Sequence, residues 1–177
     1  MTVSASAGVP LPPGLRRLAT RAGARPRLAP KWPCAQLDSL APAALVEALA
    51  AAVGAFDGVR AVAAPFEAPG TGFSLSDDLA RGQPEAFIGG GCFLVLAPGG
   101  AMHLSLRPDW AQKVVNHGWA TVHPFARYMA GAVPPQSLVV YAPRDDRELG
   151  VVTHIAAAAH AYAIGRVGDI VLPDTRW

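Results

Sequence analysis

Between Cys92 and Tyr162 the spacing of apolar residues changes from every second position to every third and fourth, and then repeats that change. That order restricts the fold more than any other feature of the chain. Cys92 to Leu96 and Ala101 to Leu106 are strand-like runs joined by Pro98-Gly99-Gly100, a turn that two antiparallel neighbours can share. In the second run Met102, Leu104 and Leu106 fall on one face, while His103 and Ser105 fall on the other, because side chains alternate along a strand. Pro108 to His117 reads as a short helix with proline at its start and Gly118 at its C′ position. Ser137 to Tyr141 is a β run. Asp145 and Glu148 then form a capping-box arrangement with Asp in place of Ser or Thr. The helix they open runs through Leu149, Val152, Ile155, Ala159 and Tyr162 to Gly165.

Upstream, Pro42 to Phe56 predicts a helix, since Leu45, Leu49, Ala52, Val53 and Phe56 make one apolar stripe. Asp57-Gly58 ends it. Val59 to Phe66 reads as a strand, and Phe73-Ser74-Leu75 starts another after the turn Gly70-Thr71-Gly72. Asp77 to Pro84 is a loop, and Glu85 to Ile88 is a further strand before Gly89-Gly90-Gly91. Six prolines in residues 1–33 exclude regular helix and sheet ladders there, which predicts a loose arm wrapping the body, with Leu11, Leu15, Leu18 and Trp32 as anchors. The expected division is an N-terminal arm at 1–33, one domain at 34–165 and a tail at 166–177, with Ile170-Val171-Leu172 a short strand or flexible. The fold class predicted is α+β: a meandering antiparallel sheet with helices packed on one face and an extended arm. The other face, bearing His103 and Ser105, is left open or covered by the arm.

A hydrophobic fraction of 51% against 16% charged residues excludes a disordered chain. Residues 1–37 hold six basic groups and no acid, so the body carries nine basic against thirteen acidic groups. An acidic body argues against nucleic acid as a partner, because phosphate-tracking surfaces need clustered Lys and Arg. Cys34 and Cys92 have no metal-type spacing and read as independent thiols in a reducing compartment. The first residues lack an apolar signal core, and Ser39 to Phe56 is broken by Pro42 and Glu47, so the expectation is a cytoplasmic protein with no membrane span. Apolar surface left on the body makes a homodimer a candidate partner, beside a small-molecule ligand.

The segments RAGARPRLAPKWPCAQL, PEAFIGGGCFLVLAPGGAMHLSL, GWATVHPFAR and VVYAPRDDREL occur in an order and at spacings that resemble the luciferase-domain family, from about Leu15 to Ile164. That family takes its name from the fungal luciferase, and most of its bacterial members have no established activity. The fungal enzyme oxidises a hydroxylated styrylpyrone with molecular oxygen, without metal or organic cofactor. The resemblance therefore implies a bacterial protein that binds a small planar phenolic or enolic molecule. Its activity would be that of a cofactor-independent oxygenase, an oxidoreductase, or a related proton-transfer enzyme. The alternative is a non-catalytic member that binds a ligand or a protein. The family pattern more often has histidines where this chain has Val95, Ala97 and Cys34, so its site chemistry is altered or lost. A weaker likeness, of layout alone, is to small α+β domains of the MmcQ/YjbR type, some proposed to bind DNA; fold alone does not carry function.

His103 and His123 match the family pattern and are the candidate catalytic bases, since an imidazole near its ordinary pKa of about 6.5 takes a proton from an acidic enol or phenol. Pro124 holds the backbone of His123 extended. Arg127 and Arg144 are candidate anion clamps, with a salt bridge to Asp145, Asp146 or Glu148 as the competing role for Arg144. Trp119 and Tyr141 are candidate substrate-binding aromatics, with core packing the competing role. His154 and His160 lie about 120° apart around one helix and do not pair as ligands. No metal site is expected. The site reading requires His103, His123 and Arg144 to share a cavity, at least two of them within reach of each other.

Overall fold

The computed structural model describes residues 13–129 and 133–166. Among the described residues six strands form one open antiparallel sheet: β1 (Val59–Ala63), β2 (Thr71–Leu75), β3 (Cys92–Leu96), β4 (Met102–Ser105), β5 (Ala120–Val122) and β6 (Ser137–Val140), in the order β1-β2-β3-β4-β6-β5. The helices are α1 (Pro13–Arg16), α2 (Ala43–Gly54), α3 (Pro108–Asn116), α4 (Pro124–Tyr128) and α5 (Asp146–Ala163). The fold is α+β, and the hairpin read from Pro98-Gly99-Gly100 sets Leu94 opposite Leu104 and Leu96 opposite Met102.

Register explains the two faces. Leu94, Leu104, Leu138 and Val122 oppose one another across β3, β4, β6 and β5, and Leu96, Met102, Val140 and Ala120 do the same one pleat along. All eight are buried and pack with Leu49 and Val53 of α2, Trp110 and Val114 of α3, and Val152, Ile155 and Tyr162 of α5. That face is the core. The opposite face carries Val95, His103 and Val139 in one row and Ser105 with Ser137 in the next.

Element boundaries differ from the sequence reading where proline decides them. Val59 to Phe66 is a strand only as far as Ala63, because Pro65 has no N–H to offer a ladder and starts a 3-10 turn at Pro65–Glu67. The strand read over Glu85 to Ile88 is instead a 3-10 turn at Pro84–Ala86, again opened by proline. Pro13 starts α1, one helical turn inside the arm that the prolines were expected to keep irregular. Pro42 is the N-cap of α2, not a member of its first turn. Gly118 ends α3 at a φ of +77°, where a glycine meets little strain. Strand β5 and helix α4 had no counterpart in the sequence reading. Ile170-Val171-Leu172 and Leu11 lie outside the described residues.

Leu15 and Leu18 are buried, and α1 packs on α5. Arg21 N–H donates to His117 O at 2.8 Å, and Leu28 and Gln36 form an isolated bridge. The arm therefore docks on the body along much of its described length. No helix among the described residues is long and apolar enough to cross a membrane.

Candidate functional site

The face bearing His103 is roofed into a half-open cavity of about 680 Å³. Val95, His103, Ser105 and Ser137 form its floor on the sheet. Trp32, Pro33, Ala35 and Gln36 of the arm roof it, with Pro65 and Phe66 on one side and His123, Phe125 and Met129 on another. Phe66 holds φ +58° and Glu67 +55°, left-handed values that cost a non-glycine residue about 1–2 kcal/mol. They set the Phe66 ring edge-on to Trp32, with centroids 6.4 Å apart. Trp32 also lies 5.7 Å from Phe125 and 6.3 Å from His123. The volume suits a small organic ligand, and the wall is aromatic and aliphatic.

Among the described residues no Asp, Glu, Lys or Arg lines the cavity. Gln36 is fully used: its Nε2 donates to Asp38 O at 2.8 Å and Ser39 O at 2.9 Å, and its Oε1 accepts from Ala142 N–H at 3.0 Å. Among the described lining residues the polar groups that remain are the His103 and His123 imidazoles, the Ser105 and Ser137 hydroxyls and the Trp32 indole N–H. The two hydroxyls bond each other at 3.1 Å. The two imidazoles have centroids 5.3 Å apart. Phe125 N–H donates to His123 Nδ1 at 3.1 Å, which makes His123 the side-chain N-cap of α4. His103 has no hydrogen-bond partner among the described residues.

Both imidazoles are pushed to a pKa of about 4. Burial is the main cause at His103, with repulsion from His123 second, and burial is the cause at His123. His103 keeps accessible surface because it borders the cavity, yet enough protein surrounds it to make its charged form costly. Near neutral pH the floor therefore offers two uncharged imidazoles.

The other sequence candidates lie elsewhere. Arg144 donates through Nε to Glu148 Oε1 at 2.9 Å, through Nη2 to the same oxygen, and through Nη2 to Ala22 O at 2.8 Å. The competing salt bridge is the contact observed, and Arg144 does not line the cavity. Trp119 donates through Nε1 to Ala19 O at 2.7 Å. Arg21 stacks on the rings of Trp119 and Tyr141, at 5.9 and 5.5 Å, and pairs with Glu148 at 3.1 Å. Tyr141 is buried, which raises its pKa, and it shares a bond with Thr121. Arg127 is exposed on α4. Trp119, Tyr141 and Arg144 thus fasten the arm to the body, while His103 and His123 share the cavity. The capping box is also modified. Asp145 accepts from Glu148 N–H at 2.8 Å as read from the sequence, but Glu148 reaches back to Arg144 N–H at 3.0 Å rather than to Asp145.

Sequence reading missed the aromatic roof. In the sequence Trp32 reads as an arm anchor and Phe66 as the end of a strand, and neither they nor Phe125 read as cavity residues. The one available signal was Phe125 directly after His123-Pro124. Val95 and Ala97, noticed as departures from a histidine pattern, line the cavity, and Val95 pairs in register with His103. Cys34 is buried between the lining residues Pro33 and Ala35, its thiol pKa raised by burial. Among the described residues no three His, Cys, Asp or Glu side chains converge as metal ligands would.

An open antiparallel sheet with its core on one face and a histidine-floored cavity on the other defines a cavity-bearing α+β protein. Residues 90–159, about 40% of the chain, match the family described as Luciferase domain. The curated relatives include the luciferase of Armillaria gallica, 32% identical over 71 residues, which are 40% of this chain and 27% of that protein. The luciferase of Armillaria mellea is 36% identical over 61 residues, 34% of this chain and 23% of that protein. The chain thus spans about a quarter of the length of these relatives. No solved structure gives a significant match. The family match contains His103, His123 and the cavity floor; the roof from Trp32 to Leu40 and Phe66 lies before it.

Proposed function

We propose that this protein binds a small, flat, weakly acidic enol in the cavity over His103 and His123, and that His103 takes the enol proton. The carrying observation is the pair of imidazoles, 5.3 Å apart, in a largely apolar cavity with no charged side chain among its described lining residues. The fungal relatives are luciferases, and the analogous activity here is a cofactor-independent oxygenation. The enolate is then the electron donor and dioxygen the oxidant.

The depressed basicity selects among acids. A plain phenol has a pKa of about 10, some six units above His103, so moving its proton to the imidazole costs about 8 kcal/mol. The resulting ion pair at about 4 Å recovers about 4 kcal/mol at an effective dielectric constant near 20. The phenol keeps its proton. An acid only two or three units above the imidazole faces a cost of about 3–4 kcal/mol, which the ion pair offsets. The site therefore favours the enolic half of the phenol-or-enol class.

A second reading, binding without turnover, draws on the same low basicity and on Val95 and Ala97 in the cavity wall. Nucleic acid fits less well. In the arm Arg21 pairs with Glu148 and Arg27 with Asp38, so part of its positive charge is neutralised within the protein.

Calorimetry with 4-hydroxy-2-quinolone, a planar acidic enol, and 2-naphthol, a phenol of similar shape, tests the proposal. The enol is expected to bind as its enolate, read from its absorption band, and naphthol to bind as the neutral phenol or not at all. Ala97→Phe adds a ring to the cavity wall without replacing either histidine and is expected to weaken enol binding with the fold intact. Enol binding unchanged in Ala97→Phe would place the ligand elsewhere and end this reading. Oxygen uptake in the enol complex then separates oxygenation from binding alone.

A further inference from the structure

The two cavity histidines are not equivalent. His123 Nδ1 accepts the Phe125 N–H at 3.1 Å, and a ring nitrogen that accepts cannot carry a proton. In the neutral imidazole the single proton must then sit on Nε2. Protonating Nδ1 would set two N–H groups against each other and strip Phe125 N–H of its acceptor, at the first turn of α4 where backbone donors lack helical partners. The contact therefore opposes both the other tautomer and the imidazolium. His103 has no such constraint, since neither of its ring nitrogens has a protein partner among the described residues. Neither His103 nor His123 contributes a fully enclosed, unpartnered ring nitrogen, so their unpaired nitrogens retain surface, and both residues line the cavity.

From this geometry we infer that His123 is locked as an Nε2–H hydrogen-bond donor to the bound ligand, and that His103 is the sole proton acceptor of the pair. The inference rests on the proposed enol binding for its ligand and divides the roles within that site. On binding, the enol O–H breaks, its electron pair stays on oxygen, and the proton passes to an unpaired nitrogen of His103. The His123 Nε2–H then donates to an oxygen of the enolate, where the negative charge is shared. Ser105 and Ser137 share one bond and keep one rotatable O–H between them, whereas the direction of the His123 Nε2–H is fixed by the Phe125 contact. This replaces the sequence expectation of two interchangeable bases. It also supplies the anion-stabilising role first assigned to Arg127 and Arg144, which do not line the cavity.

The direct test is long-range nitrogen–proton NMR of the full chain labelled with ¹⁵N-histidine, at pH 7, with and without 4-hydroxy-2-quinolone. Loss of one ring system in His103→Gln and of another in His123→Gln assigns the signals. Free protein is expected to show His123 with a bare, hydrogen-bonded Nδ1 and a protonated Nε2. Adding the enol should give His103 both ring protons while His123 keeps its tautomer. His123 with its proton on Nδ1, or an enol complex in which His123 becomes the imidazolium and His103 stays neutral, would overturn the assignment. A second measurement does not depend on NMR. His123→Gln, whose amide still donates, should hold the enol within a few-fold of the parent. His123→Leu should weaken it on the order of tenfold or more, the loss expected for a hydrogen bond to a charged group. Equal losses in both, in folded protein, also count against a donor role. A protein with the expected tautomer that takes up no enol by calorimetry overturns the binding proposal alone, and the tautomer assignment stands.

Discussion

Two histidines held near pKa 4 make the folded state acid-labile in a defined window. In the unfolded chain each returns to about 6.5, so between pH 6.5 and 4 the unfolded state binds more protons than the folded one. The stability is fully present above pH 6.5 and is lost as the pH falls towards 4. Linkage puts the loss between pH 7 and pH 5 at about 2 kcal/mol for each histidine, or about 3–4 kcal/mol for the pair, whose mutual repulsion is shared. For a chain of this size that is a fall in Tm of roughly 7–14 °C. The carboxylates act lower. Burial raises the Glu148 carboxyl, but bonds from Arg144 and Arg21 outweigh it and hold its pKa below the ordinary value, so its contribution survives at pH 5 and is lost only on further acidification. The assay is thermal melting at pH 7, 6 and 5 of the parent, His103→Leu, His123→Asn and the double variant. Asn at 123 keeps a capping oxygen for α4. Each single variant should lose about half of the pair's contribution to the fall and the double variant all of it, and the other three histidines, common to all four proteins, cancel in the comparison. A parent whose Tm is the same at pH 5 and pH 7, or a double variant as acid-labile as the parent, would refute the buried neutral pair.

Asp145→Ala removes the acceptor of Glu148 N–H and should cost about 0.5–2 kcal/mol, a Tm drop of roughly 1–8 °C, with enol binding retained in calorimetry. Glu148→Ala strands the buried Arg21 guanidinium and should cost about 3–5 kcal/mol in denaturant titrations, whereas Arg21→Met combined with Glu148→Met should recover most of that loss; equal stability of the single and double variants would contradict the clamp. Dialysed protein is expected to hold no stoichiometric zinc or iron by elemental analysis, because the described cavity lining supplies His103 and His123 alone as strong metal-ligand types, with Val95 and Ala97 beside them. About one retained metal per chain would contradict that expectation.

The fold class was legible because strand alternation and helical stripes are local. Met102, Leu104 and Leu106 read as one face from spacing alone, and that face is the core. Asp145 read as a helix cap because three-residue spacing reports directly on the first turn. The site was half legible. His103 stood out as an imidazole on the non-core face of a strand, and His123 as the residue held extended before Pro124. Their meeting across the β4–β6–β5 edge is a long-range fact that spacing does not encode. Arg144 was attractive as an exposed-looking cation in a turn. Its partner Glu148 lies one helical turn away, and short-range pairing won. The roof was illegible for a different reason. Trp32 and Phe66 reach the mouth through the path of an irregular arm and through left-handed backbone at Phe66 and Glu67, and neither leaves a periodic mark in the sequence.

The measurement that tests the enol site most directly is a crystal structure of the protein bound to 4-hydroxy-2-quinolone. The ring system is expected between Trp32, Phe66 and Phe125 over Val95, with one oxygen within hydrogen-bond distance of His103 and another atom of the enolate within reach of His123 Nε2. A complex in which the ligand sits outside this cavity, or inside it with its oxygens turned away from both imidazoles, would contradict the account.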